Sequence, residues 1–270
     1  MTEHTSTGVP IVIAALHLPK IQSGKKICMP QIEDYALTNM GLFANGGVPA
    51  VILQDQSLNA SNARLETIAM MASVGRLIHE EYNQVELGII VEAHDPFASL
   101  AIAQACGATF VRLKVFVGAM LKSSGLQQGC GVQALDYRNS IGRNDIRIFA
   151  DVHDRTGLPL LDMPLAQAAG WAVKTGADAL ILTGSTFDDS LEFLRKVRTK
   201  EKLIPLIMGG NATVDNVQQA LEYADGIIVS SSLKKEDATP EDLIQWDLEK
   251  IKRFMEAVNQ AESNLLKEKR

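Results

Sequence analysis

Lys114 lies near the end of an apolar run, Phe110–Phe116, whose alternation sorts its side chains onto two faces. Val111, Leu113 and Val115 share one face; Arg112, Lys114 and Phe116 share the other, which points inward if the run is a strand of a closed sheet. By the same count Glu92 and Asp151 close neighbouring runs on the inside. An ammonium in such a lumen must be paired or lose its charge. Glu92 and Asp151 are therefore the expected partners of Lys114. A lysine held by carboxylates can stabilise developing negative charge or form an imine. A self-satisfied buried charge network is the competing reading.

Asp151 and His153, two residues apart in FADVHD, form a second set. His153 is suited to metal-free acid–base work, its ordinary pKa being close to neutral. A histidine bonded to a loop carbonyl ranks second. A divalent metal held with His17 or His94 ranks third, so no cofactor is predicted and a metal stays open.

A third set is made of turns: Thr183-Gly184-Ser185, Gly209-Gly210-Asn211 and Ser230-Ser231-Ser232. Glycines let the backbone approach an anion, and hydroxyls add donors. Thr213 is placed to cap a helix from Val214, whose N-terminus would favour a phosphate. The expected ligand is a small phosphorylated molecule.

These sets converge only if the elements carrying them do. Strand-like runs recur at Ile11–Leu16, Ala50–Leu53, Leu87–Val91, Phe110–Phe116, Ile146–Ala150, Ala179–Leu182, Ile204–Met208 and Gly226–Val229. Helical patterns such as Ala63–Glu81, Pro96–Cys106 and Leu165–Thr175 separate them. Eight such units predict an α/β fold, a (β/α)8 barrel of the TIM type, spanning residues 1–270 as one domain. A polar tail (1–9) and a frayed end (about 263–270) flank it, and a last helix is expected over Pro240–Glu262. Nearly every run ends polar: His17, Gln54 with Asp55, Glu92 with His94 and Asp95, Lys114, Asp151 with His153, Thr183, Gly209 and Ser230. A ring of such ends forms the mouth where barrels place their chemistry. The stretch Val117–Gly131 reads as a long loop and a candidate lid, and Pro19–Gln31, with Lys20, Lys25 and Lys26, as a second cover. A homo-oligomer contact is the other use for either.

Composition narrows the function. A net charge of −6 argues against a nucleic-acid binder, which needs clustered Lys and Arg. The longest early apolar run, Val9–Leu16, is far short of a membrane span, which leaves only peripheral contact with a bilayer. No Gly-x-Gly-x-x-Gly follows the first strand, so isomerase or lyase chemistry fits better than hydride transfer. Cys28, Cys106 and Cys130 have no metal-like spacing and suggest free thiols in the cytoplasm.

Across Pro10–Val258 the chain resembles the BtpA/SgcQ family. The resemblance rests on ALHLP (15–19), GGVPAVIL (46–53), HDPFASLAIAQACGATFVRLKVFVGAM (94–120), IFADVHDR (148–155), DALILTG (178–184) and ADGIIVSSSLKK (224–235). It implies a ribulose-phosphate-binding type of barrel. Some cyanobacterial members are tied to photosystem I biogenesis at the thylakoid surface, and another branch lies in a carbohydrate-related gene region. No firm reaction comes with the family. The chain departs from the family pattern at Gln54-Asp55, usually Glu-Asn, and at Lys114, usually Asn. It also departs at Gly209-Gly210-Asn211, usually Gly-Ser-Gly, and at Ser230-Ser231-Ser232, usually Gly-Thr-Ser. No family role is therefore carried to Lys114. Asn211 keeps the turn chemistry, because Asn tolerates the left-handed conformation better than other side chains.

Overall fold

A computed structural model describes residues 8–20, 28–57, 62–160, 163–198 and 204–268. Eight parallel strands close into a barrel: β1 (Val12–His17), β2 (Ala50–Gln54), β3 (Glu86–Ile90), β4 (Phe110–Leu113), β7 (Arg147–His153), β9 (Ala179–Leu182), β10 (Leu206–Met208) and β11 (Gly226–Val229). The remaining strands, β5 (Ala119–Lys122), β6 (Gly125–Gln128) and β8 (Leu158–Pro159), make a small antiparallel sheet beside the mouth. The helices are α1 (Met29–Asn45), α2 (Leu65–Glu81), α3 (Pro96–Cys106), α4 (Gly131–Ser140), α5 (Leu165–Thr175), α6 (Phe187–Arg198), α7 (Val217–Leu221) and α8 (Leu248–Glu268).

Alternation along the strands divides the core in two. Ile13, Ala15, Ile52, Ile90, Phe110, Phe149, Ile181, Ile207 and Ile228 fill the lumen. Val12, Val51, Leu87, Val111, Ile148, Leu180 and Leu206 face the helices. Phe110 and Phe149 stack with ring centres 4.7 Å apart. Their neighbour on β3 is Gly88, where any Cβ would run into the Phe110 ring. Below the rings, Arg147 lies over both and pairs with Glu86, closing that end.

Several helix-to-strand turns are fixed by the same devices. Gly107 and Gly176 adopt φ of 82° and 100°, ending α3 and α5 in the left-handed conformation that glycine adopts freely. Asp178 accepts the Ile148 N–H at 2.7 Å, and Asp225 accepts that of Leu206 at 2.8 Å. The Ala-Asp pairs before β9 and β11 thus pin the adjacent strands.

Five expectations are corrected. The stretch Val117–Gly131 is not an irregular loop: β5 and β6 form a hairpin around Ser123-Ser124, a two-residue turn followed by Gly125 at φ 105°. Phe116 packs with the helix-facing cluster, because β4 stops at Leu113 and strand alternation stops with it. The last helix begins at Leu248, where the Asp247 carboxylate accepts the N–H groups of Glu249 and Lys250. Asn39 holds the preceding segment by bonding Leu243 O and the Gln245 N–H, and α8 runs on to Glu268, into the stretch expected to fray. Finally, Thr213 is not an N-cap: α7 starts at Val217, and the Thr213 N–H donates to Asn216 Oδ1. Lys25 and Lys26 lie outside the described residues.

Candidate functional site

The inward positions at the strands' C-terminal ends surround a cavity of about 390 Å³. His17, Gln54 and Asp151 line it from β1, β2 and β7, and Glu92, Lys114 and Thr183 from just beyond the ends of β3, β4 and β9. Two ion pairs cross its floor. Lys114 bonds Glu92, which also accepts from Gln54 Nε2. Arg112 binds Asp151 through both carboxylate oxygens, at 2.8 and 2.9 Å. Asp151 was expected to pair with Lys114. The planar fork of Arg112, two residues earlier on the same inward face, matches a carboxylate bidentately and takes it instead. Burial pushes the Asp151 carboxyl up, against the pull of Arg112.

His17 is nearly enclosed, and burial pushes its pKa down to about 4, with the nearby Lys234 ammonium adding to the effect. Its imidazole is neutral at physiological pH and can accept or donate a hydrogen bond without carrying charge. Lys234 itself is lowered by burial. It lines the cavity with its ammonium 5.3 Å from the centre of the Trp246 ring, and it has no carboxylate partner among the described residues.

The opposite wall is backbone. β10 is followed by Gly209, where a Cβ would overlap Thr183 and Ile181, and then by Gly210 and Asn211 at φ 142° and 67°. β11 is followed by a 3-10 turn, Ser231–Leu233. Among the described residues the N–H groups of Gly210, Asn211, Ser231 and Ser232 have no intramolecular acceptor. Successive unpaired N–H groups bent around one space make a nest for an anion. Ser230 and Ser232 donate their hydroxyls to Ala15 O and Ala212 O, which leaves the oxygens able to accept.

Some expected residues lie elsewhere. Asp55 is buried, accepting from Ser57 and from the Glu92 N–H at 2.6 Å, so it ties β2 to β3 and sets the position of Glu92. Asp95 caps α3 by accepting the Ala98 N–H, and it also accepts that of Ala63. The His94 ring bonds Gln128 O at 2.6 Å, joining β6 to the barrel. The Gly184 N–H already donates to Ser190 Oγ and its carbonyl accepts from Asn211, so Gly184 offers no donor to the cavity. The His153 side chain lies outside the described residues, its backbone ending β7. Among the described residues no three His, Cys, Asp or Glu side chains gather as a metal requires.

Reading the sequence missed Asp154, Arg155, Thr156 and Lys234, all on the cavity wall. Asp154 and Thr156 bond Lys122 of β5, fastening the small sheet to the rim. Burial opposes ionisation of Asp154, but the Lys122 and Thr156 bonds outweigh it and hold the carboxyl low. These four residues follow strand ends, where period-two counting gives no direction.

The BtpA family profile matches residues 9–260. The chain belongs to the BtpA family. Photosystem I biogenesis protein BtpA of Synechocystis sp. (strain PCC 6803) is 32% identical over 197 residues, 71% of this chain and 68% of that protein. Putative sgc region protein SgcQ of Escherichia coli K12 is 26% identical, over 92% of this chain and 94% of its own length. Among solved structures, a native KDPGal structure superposes with a TM-score of 0.59 at 16% identity, covering 97% of this chain and all of that one. N-(5'-phosphoribosyl)anthranilate isomerase from Pyrococcus furiosus does so with 0.56 at 13%, covering 93% and 100%. At these identities the two structures speak for the barrel fold. Among the described residues of this BtpA-family chain, no helix is long and apolar enough to cross a membrane.

Proposed function

We propose that this BtpA-family chain is a cytoplasmic enzyme of isomerase or lyase type acting on a small phosphorylated metabolite. One observation carries the reading. The unpaired N–H groups of Gly210, Asn211, Ser231 and Ser232, with Lys234 beside them, face across one cavity from the Lys114–Glu92 and Arg112–Asp151 pairs. The phosphate rests on the two turns, where backbone dipoles and one ammonium meet its charge. Its carbon skeleton then reaches the two ion pairs. Lys114, bonded to Glu92, stabilises negative charge developing on a substrate oxygen, or forms an imine with a substrate carbonyl. Glu92 or Asp151 moves the proton, the raised Asp151 carboxyl being closer to the pKa such work needs. His153 is a further proton carrier in this proposal, and neutral His17 donates a hydrogen bond. The KDPGal and phosphoribosylanthranilate isomerase resemblances agree with a phosphorylated ligand.

The test is a thermal-shift screen of phosphorylated metabolites, with and without divalent metal. Ligand at 100 times its Kd adds about 2.7 kcal/mol to stability, readily seen as a rise in Tm. A hit abolished by Lys234→Met supports the site; a screen without hits removes it. A rise found only with metal present makes the reaction metal-dependent.

The kinship with a photosystem I biogenesis protein supports a second reading, a non-catalytic assembly or stability factor at a membrane complex. That reading expects full function after Lys114→Ala, Asp151→Ala or His153→Ala and a stable partner in the membrane fraction. The enzyme reading expects each variant to lose function with no such partner.

A further inference from the structure

A second cavity, of about 430 Å³, adjoins the first, and the two have Lys114 and Asp151 as common wall residues. Their linings are opposite in character. Arg112, Arg155 and Lys234 join the unpaired N–H groups on the first. The second is walled by Val117 and Met120 of the hairpin side, Leu160 and Met163 of the β8 side, and Trp171 and Phe193 of α5 and α6. Among the described residues, its charged wall residues are Lys114 and Asp151, at the junction. Trp171 and Leu160 are 44% and 57% exposed, so apolar surface stands in water at the edge of the ion pairs. A concave apolar pocket with a few polar groups at one end is the usual form of a small-molecule site.

We infer that the substrate is two-ended: a phosphate at one end and an apolar, ring-sized group at the other, with the reacting atoms between them at Lys114 and Asp151. The inference rests on the anion reading above and adds the second end. Charge sorting carries it, since the cations and unpaired donors lie on one side of the junction and the aromatic and aliphatic surface on the other. A wholly polar sugar phosphate would leave the apolar cavity wet. A phosphate ester with an aryl or branched alkyl group fills both. The small sheet belongs to the same arrangement: the Lys122–Asp154 pair fastens it to the rim, and the sheet supplies one wall of the apolar cavity.

The test is calorimetric titration of the full chain with glycerol 3-phosphate and with phenylalkyl phosphates of increasing chain length. One chain length should bind at least about tenfold more tightly than glycerol 3-phosphate, the gain expected when roughly 60 Å² of apolar surface leaves water. Trp171→Ala and Leu160→Ser, both at exposed positions, should each erase that gain and leave glycerol 3-phosphate binding unchanged. Lys234→Met should weaken both probes. Equal affinity for both probes, or a gain that survives both apolar variants, overturns the two-ended substrate while the anion site stands. Failure of every phosphate ester to bind removes both readings. A lower molar mass by light scattering after Trp171→Ala, with ligand affinity unchanged, assigns the apolar cavity to a second copy of the chain and overturns the inference.

Discussion

The two ends of the barrel lumen carry the same kind of chemistry and put it to different uses. At the N-terminal end of the strands Arg147 pairs with Glu86 beneath the stacked rings of Phe110 and Phe149. At the C-terminal end Arg112 pairs with Asp151 and Lys114 with Glu92, beneath a cavity of about 390 Å³. Both ends hold Arg–carboxylate pairs on inward positions. The lower pair is roofed by aromatic rings with Gly88 drawn in to make room, so nothing can approach it from the lumen. The upper pairs open onto free space bordered by unpaired N–H groups. What separates a structural ion pair from a candidate site here is adjoining volume and unsatisfied donors, not residue type.

Substitutions at the two ends sharpen or break this contrast. The largest expected effect is that of Arg112→Met, which strands the Asp151 carboxyl in the barrel at a cost of about 3–5 kcal/mol near neutral pH. Burial already raises the Asp151 carboxyl, so its contribution to stability is complete below the ordinary carboxylate pKa and is lost as pH rises through the raised value. Urea unfolding should therefore show a smaller deficit at acid pH than at alkaline pH; equal deficits would mean that the charge is not the cause. Next, Lys234→Met should weaken phosphate-ester binding by about 1.5–3 kcal/mol, the worth of a charged hydrogen bond, and change unfolding little. A large fall in Tm would make Lys234 a structural residue like Arg147. At the closed end, Gly88→Ala forces a methyl against Phe110 and should cost about 1–3 kcal/mol of stability with ligand affinity untouched. Lost affinity there would show that the two ends are coupled.

Smaller effects follow at the rim. The His17 pKa, held near 4 by burial, lies below its unfolded value, so His17 contributes stability above the unfolded pKa that is lost as pH falls toward 4. Denaturation curves of the native chain should lose about 2 kcal/mol more than those of His17→Gln between about pH 7 and pH 5. Asn211→Gly should change stability by no more than about 0.5 kcal/mol, because glycine adopts the 67° φ freely, whereas Asn211→Ala should cost about 1 kcal/mol.

Most of the fold is legible in the pattern of apolar residues. Short apolar runs mark all eight barrel strands, α3 and α5 have their observed limits, and Gly107 and Gly176 mark two helix ends. The hairpin of β5 and β6 escapes, because its four-residue strands are barely amphipathic and Ser123-Ser124 is an uncommon turn pair. The start of α8 escapes because the apolar spacing continues through Ile244, which lies outside the helix and is exposed. Within the candidate site, strand parity turns Asp151 inward, and Glu92 and Lys114, just past the ends of β3 and β4, line the same cavity.

The amino-acid sequence by itself determined the eight strands, the inward direction of Asp151 and the polar ring at the strand ends, because side-chain direction in a strand is a local property with a period of two. Only the tertiary structure decided that Arg112 rather than Lys114 holds Asp151, that Gly184 has no donor to spare, that Lys234 reaches the cavity and that an apolar cavity adjoins it. Each of these depends on distances between segments far apart in the chain, and on turns where alternation no longer gives a direction.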